Sequence, residues 1–175
     1  MILLLIILLI LLVYLIFFIS QFYNVTFKGY APFVSTDFKT FNKIISEIKI
    51  KEEAVIYELG CGRARFLRMI EKRFPQTGLI GIENLSSLYL LTKLSRKLQK
   101  SKIKVLKKDF FAIDLKEADI IYCYLNNLTM KNLGEKFKQE CKVGTQIISR
   151  SFPIPQFTPE KVLVIRKKKV YFYQL

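Results

Sequence analysis

The sequence predicts an α/β fold: a mostly parallel, doubly wound sheet closed by an antiparallel C-terminal hairpin, with one long apolar helix ahead of it. Three observations predict this. Residues 1–19 carry no charge, no Gly and no Pro. From residue 54 onward, short β-rich runs alternate with segments of helical periodicity, the pattern of parallel strands joined by crossover helices. At the end, the runs Val162–Arg166 and Val170–Gln174 flank the basic stretch Arg166–Lys169, which reads as a hairpin.

The apolar run is long enough to cross the hydrocarbon core, which takes roughly 20 residues. A cleaved signal peptide needs a positive start and a small-residue cleavage site. Here nothing basic precedes the run, and Phe17, Phe18 and Ile19 fill its end. It also lacks the one-sided pattern of a helix that packs on a soluble core. Residues 1–19 are therefore expected to be a single-pass membrane anchor, residues 20–35 a tether and residues 36–175 one globular domain. The first charge is Lys28, so all 29 Lys and Arg lie beyond the anchor. The positive-inside rule then puts the domain on the cytoplasmic side, or the matrix side in a mitochondrion.

Phe38, Phe41, Ile44, Ile45 and Ile48 recur at helical spacing, with Thr36 or Asp37 as the cap. Ala54–Leu59 is a buried strand and Arg65–Arg73 a helix, ended by Pro75 and Gly78. Leu79–Glu83 reads as the second strand, Ser86–Gln99 as a helix and Ile103–Leu106 as the third strand. Ala118–Leu125, the helix Met130–Glu140 and the strand Thr145–Arg150 follow, before the hairpin.

A net charge of +15 is open to three readings: nucleic-acid binding, anionic lipid, or a lysine-rich composition. Lys93, Arg96, Lys97 and Lys100 fall at helical spacing on a face expected to be solvated. Cys61, Cys123 and Cys141 form no CxxC pair and the chain has no His, which argues against a disulfide framework and against a metal site.

The strongest local signal is Glu58-Leu59-Gly60-Cys61-Gly62-Arg63-Ala64-Arg65, placed after the first strand and opening the first crossover helix. Glycines there let the backbone approach a ligand, and a helix N-terminus favours its carboxylate. Glu83 ends the second strand, followed by Asn84, at the position where related folds accept hydrogen bonds from the ribose of an adenosine cofactor. The Gly-Cys-Gly-Arg-Ala loop lacks the GxGxxG spacing that seats a pyrophosphate. Glu58 would repel phosphate but suits a methionine ammonium, so S-adenosylmethionine is favoured over NAD. After the third strand, Asp109 can bond the adenine amino group and Phe110 can flank the ring. Expected cofactor residues are Glu58, Gly60, Cys61, Gly62, Glu83, Asn84, Asp109 and Phe110.

With these segments the chain resembles a class I S-adenosylmethionine-dependent methyltransferase with a Rossmann-like sheet. More narrowly, it is similar to the lysine methyltransferases of the ATP-synthase c-subunit and the adenine nucleotide translocase, with their prokaryotic relatives. Ala31-Pro32-Phe33-Val34 resembles the family's Ala-Pro-Tyr-Val segment, and Gly81-Ile82-Glu83-Asn84 with Leu85 and Leu88 its Gly-Tyr-Glu-Leu-Asn stretch. Phe152-Pro153-Ile154-Pro155-Gln156-Phe157-Thr158-Pro159 resembles its Phe-Pro-Phe-Pro-x-Trp-x-Pro signature. Two positions depart from the pattern: Ala64 stands for the usual third glycine, and Arg63 brings a positive charge towards a sulfonium cofactor.

The resemblance implies methylation of a protein lysine on a membrane-associated partner, with a c-type ATP-synthase subunit or a carrier as the family's acceptors. Residues expected to line the acceptor side are Tyr30, Pro32, Tyr124, Asn126, Phe152 and Pro153. No general base is identified. Tyr124-Leu125-Asn126-Asn127 lacks the Asn-Pro-Pro-Tyr element of amino-methylating nucleic-acid enzymes, which argues against a nucleic-acid substrate. A lipid, quinone or other small-molecule methyltransferase and an inactive membrane-bound binding module remain as alternatives.

Overall fold

The computed structural model describes residues 2–27 and 36–175. The chain divides into two units, Met1–Val34 and Ser35–Leu175. The first holds α1, Ile2–Phe27. Its 26 residues rise over about 39 Å at 1.5 Å each, and its Ile2–Ile19 portion is apolar and long enough to cross a membrane. The helix continues past Ile19, where the tether was expected to begin. Ser20–Phe27 contains no Gly or Pro, so nothing in its backbone chemistry interrupts the helix there. The remainder of the expected tether lies outside the described residues.

The second unit opens with α2, Phe38–Ile45. Of the two expected caps, Asp37 fills the role, accepting from Thr40 N–H at 3.0 Å and Thr40 Oγ1 at 2.7 Å. Then follow β1 (Val55–Leu59), α3 (Arg65–Arg73), β2 (Gly78–Ile82), α4 (Ser86–Leu98), β3 (Lys104–Leu106) and β4 (Ile120–Cys123). The chain ends with α5 (Asn127–Glu140), β5 (Gln146–Arg150), β6 (Lys161–Ile165) and β7 (Lys168–Gln174). The sheet order is β3-β2-β1-β4-β5-β7-β6. β1 to β5 pair in parallel and β7 runs antiparallel to both β5 and β6, as the alternation and the terminal hairpin predict.

Residues alternate across the strands, so the sheet has two buried faces. On one, Ile56, Tyr122 and Ile148 meet Phe41 and Ile44 of α2 and Phe66 and Ile70 of α3. The Phe66 and Tyr122 rings stack there with centroids 4.3 Å apart. On the other, Leu59, Ile121 and Ile147 meet Leu133 and Phe137 of α5.

Boundaries differ from expectation where a cap or turn decides them. α5 begins at Asn127 rather than Met130, because Asn126 caps it, accepting from Thr129 N–H at 2.8 Å. The hairpin turns on Arg166 and Lys167, both at positive φ (50° and 65°). This two-residue turn matches the strand twist and shifts the strands to Lys161–Ile165 and Lys168–Gln174. The strand order reverses at β1 and β4, and ligands of such sheets bind at the carboxyl ends beside that reversal.

Candidate active site

β1 delivers Glu58 and then breaks into the glycine loop. Gly60 and Gly62 hold φ of 70° and 51°, a region costly to residues with a side chain. A Cβ on Gly60 would stand 2.9 Å from Leu125 Cδ2. The Cys61 N–H donates to the Ile82 carbonyl at 2.9 Å, and its buried side chain occupies the space that Gly81 leaves free. A Cβ on Gly81 would lie 2.8 Å from Cys61 Sγ. The bend is thus held against the end of β2.

Glu83 stands at that end. Its carboxylate accepts from the Gly62 N–H and the Leu85 N–H, each at 2.8 Å. The Gly62 carbonyl in turn accepts from the buried Thr92 Oγ1 at 2.5 Å. Thr92 is a site residue that sequence reasoning missed. Its only signal is a hydroxyl on the inward face of the otherwise leucine-rich α4.

Two buried acids face one small region. Burial pushes the Glu58 carboxyl well above the usual carboxylate range; the Leu67 N–H, 3.5 Å away, opposes this and the Glu83 charge adds to it. Burial raises Glu83 too, against the hydrogen bonds from Leu85, Gly62 and Asn84. A cationic ligand relieves both, whereas a pyrophosphate meets repulsion. A sulfonium and ammonium carrier with two ribose hydroxyls fits this donor and acceptor set. Arg63 is exposed, and Ala64 is buried in the left-handed region at φ 49°. Ala64 is the residue before α3, so the chain makes this left-handed turn without glycine.

Beyond β3, Asp109 caps a short 3-10 turn, Phe110–Ala112, accepting from the Phe111 N–H at 3.0 Å. Phe110 is 7% exposed and packs in the core, while Phe111 is 40% exposed. The two rings lie 5.0 Å apart. Asn84 follows Glu83 and is half-buried.

Of the residues expected to line an acceptor side, Tyr124 lies just past β4. Its hydroxyl accepts from Lys168 Nζ at 2.6 Å, and the Arg150 guanidinium sits 4.6 Å from its ring centre. Burial raises the Tyr124 phenol, but the Lys168 hydrogen bond and the Arg150 and Lys168 charges outweigh it, leaving the phenol below its ordinary value. Arg150, buried at the end of β5, also bonds Thr36 Oγ1. Asn126 is given a capping role by its bond from Thr129. Phe152 is half-buried, its carbonyl accepting from Ser149 Oγ at 2.5 Å, and Pro153 is exposed. The Ile154 N–H donates to Tyr173 Oη at 2.8 Å, which fixes the Phe-Pro segment against β7. Tyr30 and Pro32 lie outside the described residues. Among the described residues, no three His, Cys, Asp or Glu side chains gather as a metal site.

The sheet order, the glycine bend and the paired acids define a class I S-adenosylmethionine-dependent methyltransferase, and known proteins agree. The chain is similar in fold to an RNA methyltransferase from Salinibacter ruber in complex with S-adenosyl-L-homocysteine, with a TM-score of 0.75, 21% identity, and coverage of 81% of this chain and 93% of that one. It is similar also to a SAM-dependent methyltransferase from Aquifex aeolicus, with a TM-score of 0.60, 15% identity, and coverage of 77% and 88%. Among sequences, it is 25% identical over 150 residues to a protein-lysine N-methyltransferase of Saccharolobus islandicus, covering 82% of this chain and 93% of that protein. The model of the ANTKMT methyltransferase domain matches residues 58–161. The chain belongs to that family, and its cofactor is S-adenosylmethionine.

Proposed function

We propose that the protein is a membrane-anchored protein-lysine N-methyltransferase whose acceptor is a membrane-associated protein. The observation that carries this reading is the near full-length similarity to a protein-lysine N-methyltransferase. The anchor reading is supported by α1, which is apolar and long enough to cross a bilayer, and the excess of cations after it favours a cytoplasmic or matrix-side domain.

The cofactor supplies an electrophilic methyl group on a sulfonium. Glu83 would accept from the ribose hydroxyls, Gly60 and Gly62 would let the backbone close on the methionine portion, and Glu58 would balance its cationic charge. Asn84, Cys61 and the Asp109–Phe110 turn complete the expected cradle. The chain's task is then to hold donor and acceptor in line and to exclude water. A lysine acceptor, with an ordinary pKa of ~10.4, must lose a proton before attack. Arg150 and Lys168 beside Tyr124 make that corner cationic. Like charges depress an ammonium pKa, so an acceptor amine arriving at Tyr124 is driven neutral, and the Tyr124 oxygen can hold it through a hydrogen bond.

The test incubates the full chain and radiolabelled S-adenosylmethionine with membranes of the source organism. Label that stays with protein and elutes as methyllysine after hydrolysis is the expected result. Label extracted with lipid, or carried by RNA, overturns the lysine reading.

A further inference from the structure

α4 leaves one face uncovered. Leu88 and Thr92 turn inward, whereas Leu90, Leu91, Leu94 and Leu98 are 60%, 51%, 58% and 76% exposed. At 3.6 residues per turn these four leucines fall within an arc of about 100°, and Lys93 and Lys97 border it. The surface helix of a soluble domain shows the opposite pattern, with polar residues outward. A contiguous exposed apolar patch marks a place of interaction.

The charge around the stripe is one-sided. Between Asn84 and Lys108 the chain carries eight Lys and Arg and no Asp or Glu. Lys93, Lys97, Lys100 and Lys104 are exposed. Among the described residues, none of the ion pairs uses a cation of this stretch. The carboxylate that reaches it, Glu71 of α3, accepts from Ser101 Oγ at 2.8 Å and the Lys102 N–H at 2.5 Å. Exposed leucines rimmed by uncompensated lysines suit the boundary between acyl chains and anionic headgroups. A second copy of the chain would bring the same cations to the rim and repel.

We propose that α4 lies on an anionic bilayer surface, its leucines entering the acyl boundary and its lysines meeting lipid phosphates. This rests on the membrane reading of the whole chain, to which it adds a second contact. The domain would then be held against the surface instead of swinging freely, which confines its acceptors to those presented close to the headgroups.

The test places an environment-sensitive fluorophore on a Leu94→Cys variant of the full chain, in a Cys141→Ser background, reconstituted into vesicles with and without phosphatidylglycerol. Unchanged S-adenosylmethionine binding shows that the labelled domain is folded. The expected result is blue-shifted emission, quenched by spin-labelled lipid, in the anionic vesicles. Loss of both signals on adding Lys93→Gln, Lys97→Gln and Lys100→Gln is also expected, since each cation contributes about fivefold at low salt. Water-like emission in anionic vesicles that carry the chain overturns the proposal. So does a blue shift in lipid-free micelles that rises with protein concentration, because a second copy then covers the stripe. Carbonate extraction of the chain contradicts the membrane-span reading separately, and the fluorophore still decides the position of α4.

Discussion

The Gly62 amide donates to the Glu83 carboxylate at 2.8 Å, so the glycine bend after β1 and the acid at the end of β2 form one unit. Glu83 is thereby aimed, and the bend is closed, by the same bond. The Thr92 hydroxyl fixes the other side of Gly62 at 2.5 Å.

The Thr92 contact gives a first prediction. Thr92→Val keeps the shape and removes the donor, leaving the buried Gly62 carbonyl unpaired at a cost of about 1–3 kcal/mol. The KM for S-adenosylmethionine is expected to rise by roughly tenfold while kcat changes little, as steady-state kinetics would read directly.

Gly60→Ala is expected to be worse. The backbone is at φ 70° and a new Cβ would stand 2.9 Å from Leu125 Cδ2, so strain and crowding together are expected to cost about 1–3 kcal/mol. Thermal unfolding should show a lower Tm, and cofactor binding should weaken with it.

Glu58 predicts a pH dependence of stability. Its carboxyl is raised in the folded chain, so the folded state binds the extra proton between the ordinary carboxylate value and the raised one. The stabilisation is fully present below the ordinary value and is lost as pH rises through the raised one. Glu58→Gln should therefore leave Tm unchanged near pH 4 relative to the native chain and raise it at pH 8, by about 2–4 °C for each kcal/mol recovered. Cofactor affinity of the native chain should increase over the same rise in pH, because a cationic ligand favours the ionised acid.

How much of this was legible in the sequence depends on whether a local pattern or a distant partner set the feature. Glu58, Gly60, Gly62 and Glu83 sit where strand ends and turn chemistry put them, and the structure brings them together. Hydrophobic periodicity placed α3 on the residues expected. The hairpin slipped because Arg166 and Lys167 take positive φ without the usual Gly or Asn signal. Thr92, and the joining of Tyr124 with Lys168 over 44 positions, are tertiary facts that no spacing rule carries. The spacing of the α4 lysines predicts a solvated face; that the leucines between them share it follows from Leu88 and Thr92 taking the inward positions, which spacing alone does not give.

Tyr124 yields a prediction on rate. Tyr124→Phe removes the oxygen that Lys168 holds at 2.6 Å, and Lys168→Gln removes the neighbouring charge. Each is expected to lower kcat by roughly 100-fold, the low end of acid–base effects, with the KM for S-adenosylmethionine unchanged. In Lys168→Gln the pH–rate profile should also shift upward, since a less cationic corner leaves the acceptor amine protonated to higher pH.

The most direct measurement is calorimetric titration of the full chain in detergent with S-adenosylmethionine, with Glu83→Ala alongside and NAD as the control ligand. Binding of S-adenosylmethionine is predicted, with no measurable NAD binding. Loss of two hydrogen bonds to a charged acceptor should weaken Glu83→Ala by about 100-fold or more. Equal affinity in Glu83→Ala, or tighter binding of NAD, would contradict the account of the site.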